Sequence, residues 1–161
     1  MIILDVGCGD MPKGDVNIDL FPHVKALGRE GIPTTVDIFC DGRRLPFRDG
    51  TFEKVLCHHV IEHTTDPFGV LVELVRVSSQ DIEIRTPHRY SVDALRDPHH
   101  VSFFNARWFT EACSRLDVDC RVSVSLREVH IPFGFLRLSF KRPDEIVTHI
   151  SKLGSERGDS A

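Results

Sequence analysis

Short apolar runs recur along the chain between polar segments, and they predict the strands of a sheet. Apolar or β-branched runs of about four to eight residues, bounded by turn residues, are typical of strands. The first run, MIILDV, is nearly continuous, as expected of a central parallel strand that is buried on both faces. The other predicted strands are DVNIDL (15–20), TTVDIF (34–39), TFEKVLCHH (51–59) and DIEIRT (81–86).

Helical spacing and capping residues predict two helices. Asp66 can cap the first, Pro67 suits its first turn, and it should end near residues 78–79. Asn105 can cap the second. The apolar residues expected on their buried faces are Phe68, Leu71, Leu74 and Val75 for the first, and Phe109, Ala112, Cys113 and Leu116 for the second. Residues 21–30 could add one or two further turns.

The remaining segments are predicted from composition. Residues 87–104 form a long loop, and loops of this length tend to be functional. Residues 118–131 predict one strand, or two antiparallel strands that meet near Leu126 and Arg127. The apolar segment HIPFGFLRLSF (130–140) is expected to form an edge strand that could pair across a homodimer; a core strand or an acceptor surface are the alternatives.

The order of elements predicts an α/β fold with a three-layer, mostly parallel sheet and an antiparallel edge strand. The length of 161 residues favours a single domain, which we place at residues 1–150. Residues 151–161 are expected to be a disordered tail, because GSERGDSA at its end is polar and small.

Charge and cysteine usage narrow the class of protein. The net charge is −4, from 20 basic and 24 acidic residues, which argues against long nucleic acids and acidic membranes as partners. The five cysteines include no Cys-x-x-Cys pair, and Met1 leads directly into the first strand without a signal peptide. We therefore expect reduced thiols, a cytoplasmic location and no membrane-spanning segment.

The stretch LDVGCGDMPKGDVNIDLF (4–21) carries the strongest chemical signal. Gly7 and Gly9 follow the first strand, and Asp19 ends the second, as in sites that hold nucleotide-like cofactors. Asp19 could accept from both hydroxyls of a ribose, and Asp41, after the third strand, could accept from an adenine amino group. A dinucleotide would need a third glycine where Pro12 stands, and a helix to hold its pyrophosphate. A cofactor with a cationic centre and no phosphate fits the surrounding acids better.

Four motifs resemble class I S-adenosylmethionine-dependent methyltransferases. They are ILDVGCGD, NIDL, DGRRLPFRDGTFEKVLCHHVIEH and TPHRYSVDALRDPHHVSFFNARWF, in this order. The resemblance covers about residues 2–116 and is nearest to the small family with Leu-Pro-Phe followed by Glu-His after strand four. It implies S-adenosyl-L-methionine as the cofactor.

The resemblance also implies roles for individual residues. By position, the cofactor-binding residues would be Asp5, Gly7, Cys8 and Gly9 along the methionine part, Asp19 on the ribose, Leu20 on the adenine face, Asp41 and Gly42 at the adenine edge, and Cys57 and His58 at the end of strand four. Asp5 is expected to act through the loop rather than by direct contact. The chain departs from the family in having Met11 in place of the third glycine, a missing or shortened first helix, and no N-terminal cap helices. These departures predict an open pocket, a weaker affinity for the cofactor, or a lid contributed by a partner subunit.

Histidines are the candidate catalytic side chains. Methyl transfer needs mainly alignment, and a base only when the acceptor must lose a proton. His59 and His63, beside Glu62, are our candidates; the alternative is that Glu62 and His63 only shape a turn and that the loop histidines are solvated. No metal site is expected, because the histidine spacing matches no compact zinc ligand set and no cysteine pair supports one.

Other candidates have structural alternatives. Asp19 could cap the segment that follows it, and Asp41 could be an ordinary Asp-Gly turn residue. Phe103, Phe104 and Trp108 could line an acceptor pocket or belong to the core. Three arginines in or near the long loop could bind an anionic acceptor or be solvated: Arg85, Arg89 and Arg96.

The sequence therefore predicts a methyltransferase that acts on an unidentified acceptor, either a small molecule or a protein. Methylation of DNA base amino groups is disfavoured, because CHHVIEH stands where those enzymes carry Asn/Asp-Pro-Pro-aromatic. Two alternatives stay open: a non-catalytic binding protein or incomplete subunit with this fold, and a nicotinamide-dependent oxidoreductase.

Overall fold

The computed structural model describes residues 1–24, 28–133 and 138–153. Within these ranges, the strands are β1 (Ile3–Val6), β2 (Val16–Asp19), β3 (Ile38–Phe39), β4 (Phe52–His58), β5 (Ser78–Pro87), β6 (Cys120–Phe133) and β7 (Leu138–Lys152). The helices are α1 (Pro67–Val77), α2 (Val92–Arg96) and α3 (Ala106–Cys113), and a short 3₁₀ helix covers Ile61–His63. The strands form one sheet in the order β3-β2-β1-β4-β5-β7-β6. This confirms the predicted α/β fold with a mostly parallel sheet.

The antiparallel strand lies one position inside the edge rather than at the edge. β7 is antiparallel to both β5 and β6, so the edge strand β6 runs in the same direction as β1 to β5. β6 pairs with β7 from Cys120↔Lys152 to Phe133↔Leu138, with an irregularity only between Arg127 and Glu128. The alternative of two strands that meet near Leu126 and Arg127 is therefore wrong, because a single strand runs through that point.

The core lies on one face of the sheet. Leu4, Val55 and Ile82 are register partners across β1, β4 and β5, so their side chains share a face. That face packs against the buried residues of α1 and α3 in one apolar cluster. The opposite face is polar along β5, where Asp81, Glu83 and Arg85 alternate with buried isoleucines and threonine. The described chain thus builds the sheet and the helical layer of α1 and α3. Leu4, Asp5 and Val6 are buried, so β1 is a central strand buried on both faces as expected, although the buried residue on the polar face is Asp5 rather than an apolar one.

The caps of the two longer helices are confirmed. The Asp66 carboxylate accepts from Gly69 N at 2.9 Å, Pro67 begins α1, and Ser78 ends it. Asn105 Oδ1 accepts from Trp108 N at 3.0 Å and begins α3. Each side chain satisfies a backbone donor that the helix leaves unpaired at its start. Phe68 is the exception on the predicted buried face of α1, because it is exposed.

Several segments differ from the sequence prediction. Only Ile38 and Phe39 of the predicted strand 34–39 form β3, and the long loop 87–104 contains α2, which Ser91 caps. No helix forms at residues 21–24 or 28–30, and residues 25–27 of that predicted turn lie outside the described residues. β7 includes Ser151 and Lys152, and residues 154–161 of the predicted tail also lie outside the described part of the chain.

Candidate cofactor site

A tight turn with two left-handed glycines connects β1 to the site. Gly7 has φ 71° and Gly9 has φ 59°, conformations that other residues adopt only with strain. Gly7 N and Cys8 N both donate to Ile18 O, at 2.8 and 3.1 Å, which ties the turn to β2. A Cβ on residue 7 would lie 2.2 Å from Val60 Cγ2, so glycine there lets the turn pack against the chain after β4. At residue 9 a Cβ would meet only an ordinary contact, with Val24.

Asp19 faces this turn from the end of β2. Its Oδ2 accepts from Gly9 N at 3.1 Å, and its Oδ1 accepts from Phe21 N at 3.0 Å. A carboxylate oxygen can accept two hydrogen bonds, so each oxygen retains capacity for one more donor. The side chain is half-buried. The structure therefore holds Asp19 in one orientation and leaves both of its oxygens able to accept from a pair of neighbouring hydroxyls.

Asp5 and Cys8 connect the turn to neighbouring segments of the chain. Asp5 is buried, and its Oδ2 accepts from Lys13 N at 2.9 Å; burial raises the pKa of its carboxyl group. Cys8 Sγ lies 3.2 Å from Thr35 O, and Thr35 N donates to Gly9 O at 2.7 Å. Burial, followed by the charge of Asp19, raises the pKa of the Cys8 thiol to about 12, so this thiol is protonated and not nucleophilic at neutral pH.

The connection from β1 to β2 has no helix and is braced by backbone contacts. Asp15 N donates to Ile3 O at 2.8 Å, and Asp15 Oδ2 accepts from Ile3 N at 2.9 Å. A Cβ on Gly14 would lie 2.8 Å from Ile3 O, so only glycine allows this close approach; sequence reasoning missed its role. Met11, which replaces the family's third glycine, is 60% exposed.

Arg43 already binds the carboxylate of Asp41, the residue expected to recognise the adenine edge. Arg43 Nε lies 3.1 Å from both oxygens of Asp41, and Arg43 N donates to Oδ1 at 2.9 Å. These hydrogen bonds lower the pKa of Asp41. A Cβ on Gly42 would make only ordinary contacts, with Val6 and Val70, so space alone does not require glycine there. Leu20 is 49% exposed and offers an apolar surface beside Asp19.

A groove lies beside the segment that follows β2. It has a volume of 580 Å³ and is lined in part by Phe21, Val24, Gly31 and His99. Sites for small molecules commonly have volumes of about 300–1,000 Å³. The groove is of that size, but Asp19 and the glycine turn are not among the described residues that line it.

Cys57 and His58, the two residues expected at the pocket after β4, point to opposite faces of the sheet. Cys57 is fully buried in the core, so its side chain does not reach a ligand. His58 lies on the polar face, with Nε2 3.1 Å from Glu83 Oε1 and Nδ1 3.2 Å from Lys13 Nζ. Burial, and then the charge of Lys13, lowers the pKa of His58 to about 4, so its ring is neutral at pH 7.

His59 has the only left-handed backbone among the described residues that are not glycine, with φ 57°. Its Nε2 lies 3.0 Å from Glu145 Oε1, and its Nδ1 lies 3.4 Å from Glu62 Oε1. Burial alone would lower the pKa of His59, but the two carboxylates raise it above its usual value. The ring is half exposed at the carboxyl end of β4, the end of the sheet where the glycine turn also lies.

Two further histidines meet beside Glu62. The rings of His63 and His100 have centroids 4.7 Å apart, and Glu62 Oε2 accepts from Thr86 Oγ1 at 3.1 Å. The alternative that the loop histidines are all solvated is wrong for His88 and His100, which the fold buries, because the loop folds back onto the 3₁₀ helix. Sequence reasoning missed this cluster, because its members are far apart in the chain.

The candidate acceptor aromatics divide between core and surface. Phe104 is buried and packs edge-on against Trp108, with centroids 4.8 Å apart, so both contribute to the core contacts of α3. Phe103 is exposed. Arg85 binds Glu83, with Nη2 2.6 Å from Oε1.

Comparison with known protein families agrees with the resemblance noted in the sequence. Residues 4–81 match a family model described as a methyltransferase domain. The chain is 34% identical over 99 residues to an uncharacterized methyltransferase of Schizosaccharomyces pombe; the match covers 47% of this chain and 35% of that protein. The chain thus matches about a third of the length of this curated relative.

Solved structures share the fold at low sequence identity. A SAM-dependent methyltransferase of Archaeoglobus fulgidus has a TM-score of 0.66 at 16% identity, over 93% of this chain and 85% of that chain. A possible histamine N-methyltransferase of Thermotoga maritima has a TM-score of 0.64 at 14% identity, over 94% and 82%. A putative methyltransferase of Haloferax volcanii, solved in complex with a methyltransferase activator, has a TM-score of 0.60 at 13% identity, over 94% and 82%. The fold is therefore that of Rossmann-like methyltransferases, and the resemblance is confirmed. None of the helices in the described ranges has the length and apolarity to cross a membrane.

Proposed function

We propose, from the premise that this chain has the sequence motifs and the fold of methyltransferases, that it transfers a methyl group from S-adenosyl-L-methionine to an acceptor. The observation that carries the proposal is Asp19, which Gly9 N and Phe21 N hold with both oxygens able to accept further hydrogen bonds. Vicinal ribose hydroxyls are a pair of donors that suits this carboxylate. When bound, the cofactor would supply an electrophilic methyl group on its sulfonium.

The other residues have supporting roles in this proposal. Gly7 and Gly9 shape the turn, and Asp5 and Cys8 hold it through Lys13 N and Thr35 O. The remaining proposed contacts are Leu20 beneath the adenine, Asp41 and Gly42 at its edge, and His58 at the end of β4. Asp41 would have to share its oxygens with Arg43, which occupies both. The side chain of Cys57 would act only by packing behind the site.

The acceptor would bind at the carboxyl ends of β4 and β5. His59 and His63 are the side chains that we propose as catalytic there, because both follow β4 at the end of the sheet that carries the glycine turn. Methyl transfer itself depends on in-line alignment, so these histidines would chiefly orient the acceptor. A small molecule or a protein side chain fits the net charge of −4 better than a long nucleic acid. The five cysteines are unpaired, which supports a cytoplasmic location.

Calorimetry with S-adenosylhomocysteine, the product of the cofactor, tests this proposal. We expect saturable binding that Asp19→Ala weakens about 10- to 100-fold, since hydrogen bonds to a charged group contribute about 1.5–3 kcal/mol. Asp117→Ala, at an exposed acid after α3, is the matched control and should bind like the wild type. Equal affinities for the wild type and Asp19→Ala would contradict the role of Asp19.

One observation favours a second candidate, a non-catalytic protein with this fold. The capture of Asp41 by Arg43 removes one of the expected adenine contacts. The calorimetric titration could show no binding of S-adenosylhomocysteine even at about 1 mM, where a dissociation constant corresponds to only about 4 kcal/mol. That result would favour the non-catalytic protein. A parallel titration with NAD tests the nicotinamide alternative, which Pro12 in the fingerprint position disfavours.

A further inference from the structure

We propose that Glu62, His63 and His100 form a binding site for one divalent transition-metal ion, with Zn²⁺ as the best-fitting ion. One ligand atom from each residue lies within 4.8 Å of the others. Two imidazoles and one carboxylate are a recurrent ligand set for zinc and for related first-row metals. The proposal is independent of the cofactor site, because it uses none of the residues that shape the glycine turn.

The hydrogen bonds of the two histidines fix the tautomer that a metal requires. His63 Nδ1 lies 3.2 Å from His99 O, and His100 Nδ1 lies 3.1 Å from Ala94 O. A carbonyl oxygen only accepts, so in each ring Nδ1 carries the proton and donates it. The neutral rings then hold a lone pair on Nε2. Metal-ligating histidines usually donate their second N–H to such an oxygen, which orients the ring.

The carboxylate contributes a buried oxygen without a hydrogen-bond donor. Glu62 is 2% exposed, and its Oε2 accepts from Thr86 Oγ1. Its Oε1 makes no well-formed hydrogen bond among the described residues, and its nearest cationic partner is the half-exposed His59, with Nδ1 3.4 Å away. A buried acceptor without a donor costs about 1–3 kcal/mol, more when it is charged. A cation bound between Glu62 and the two histidines would offset this cost.

The backbone already brings the ligands together. Val101 N and Ser102 N donate to Glu62 O at 2.8 and 3.0 Å, which fastens the segment that carries His100 to the 3₁₀ helix that carries His63. Zinc bonds of about 2.0–2.2 Å place ligand atoms roughly 3.3–3.6 Å apart. Ligand atoms as far apart as 4.8 Å would therefore need to approach by about 1.2–1.5 Å, which requires the side chains to rotate on metal binding. The two imidazoles favour a transition metal over Mg²⁺ or Ca²⁺, which prefer oxygen ligands.

The site would give His63 the role of a metal ligand in place of the acceptor-orienting role proposed above, and that role would then fall to His59 alone. Because the 3₁₀ helix follows β4, the metal would lie at the same end of the sheet as the glycine turn.

Metal titration of the full chain tests the proposal without any measurement of activity. Chelator-treated protein is titrated with Zn²⁺ by calorimetry, and with Co²⁺ by visible absorption, which reports coordination by nitrogen and oxygen ligands. We expect one ion per chain, and a loss of Zn²⁺ affinity of at least 10-fold in His63→Gln and in His100→Gln. His149→Gln, at an exposed histidine of β7, is the matched control and should keep the wild-type affinity.

Two outcomes would overturn the proposal. One is the absence of saturable Zn²⁺ binding by the wild type at 1 mM metal, which corresponds to a binding free energy weaker than about 4 kcal/mol. The other is binding that both histidine variants retain, with circular dichroism showing that they are folded. Asp19→Ala should bind Zn²⁺ like the wild type, so failure of the cofactor proposal and failure of the metal proposal give different results.

Discussion

Gly7→Ala is predicted to be among the most destabilising single-methyl additions to this chain. Residue 7 has φ 71°, and its new Cβ would lie 2.2 Å from Val60 Cγ2. Carbon atoms in contact are normally about 3.5–4.0 Å apart, so Val60 would have to move by more than 1 Å. The left-handed backbone adds about 1 kcal/mol, and overpacking adds about 1–3 kcal/mol. The expected loss of unfolding free energy is therefore about 2–4 kcal/mol.

Two comparisons separate the backbone cost from the packing cost. Gly31 has φ 80° and no heavy atom near the position of a Cβ, so Gly31→Ala should cost only about 1 kcal/mol. In a Val60→Ala background the clashing methyl group is absent, and Gly7→Ala should then cost no more than Gly31→Ala. Urea unfolding of the four variants, at constant m-value, gives these differences. If Gly7→Ala and Gly31→Ala cost the same in the wild-type background, the packing of Val60 against the turn is wrong.

Three further predictions concern pH, a helix cap and a half-buried arginine. Between pH 7 and pH 5, His58 takes up a proton in the unfolded chain but not in the folded chain, where its pKa is about 4. The unfolding free energy of the wild type should therefore fall by about 2 kcal/mol more than that of His58→Gln over this range. Parallel profiles of unfolding free energy against pH for the two proteins would contradict this. Asp66→Ala should lower the unfolding free energy by about 1 kcal/mol, measured by urea unfolding, because Gly69 N loses its acceptor. Arg76→Met should cost about 2 kcal/mol, because its guanidinium binds two carbonyls and two carboxylates. Arg107→Met removes one exposed ion pair and should cost at most about 0.5 kcal/mol, and equal losses would contradict the importance of the Arg76 network.

Features that depend on neighbouring residues could be predicted from the sequence. Asp66 and Asn105 cap helices that begin one residue later, because capping is decided within three residues. The charged positions of DIEIRT alternate with apolar ones, and this period of two was a readable signal that one face of β5 is polar.

Features that depend on distant residues could not be predicted. β7 was not recognised over residues 141–152, because Pro143 and the charged residues around it are atypical of a strand, and long-range pairing with β5 and β6 decides its conformation. The meeting of Glu62 with His100 depends on the fold of the intervening loop. The roles proposed for Asp19 and the glycine turn are predictions that the titration with S-adenosylhomocysteine tests.

The pairing of β6 with β7 extends beyond the rest of the sheet as a two-stranded arm. β5 stops pairing at Pro87↔Glu145, whereas β6 and β7 continue from Glu128↔Pro143 to Phe133↔Leu138. At about 3.3 Å per residue, the arm extends roughly 15–20 Å past the carboxyl end of β5. β7 lies three strand positions from β1, which at about 4.8 Å per strand is a lateral distance of about 14 Å. A ligand bound over β4 would therefore have the arm at its side. Removing the paired residues 128–133 and 138–143 and comparing the binding of small and large ligands would show whether the arm limits access to this end of the sheet.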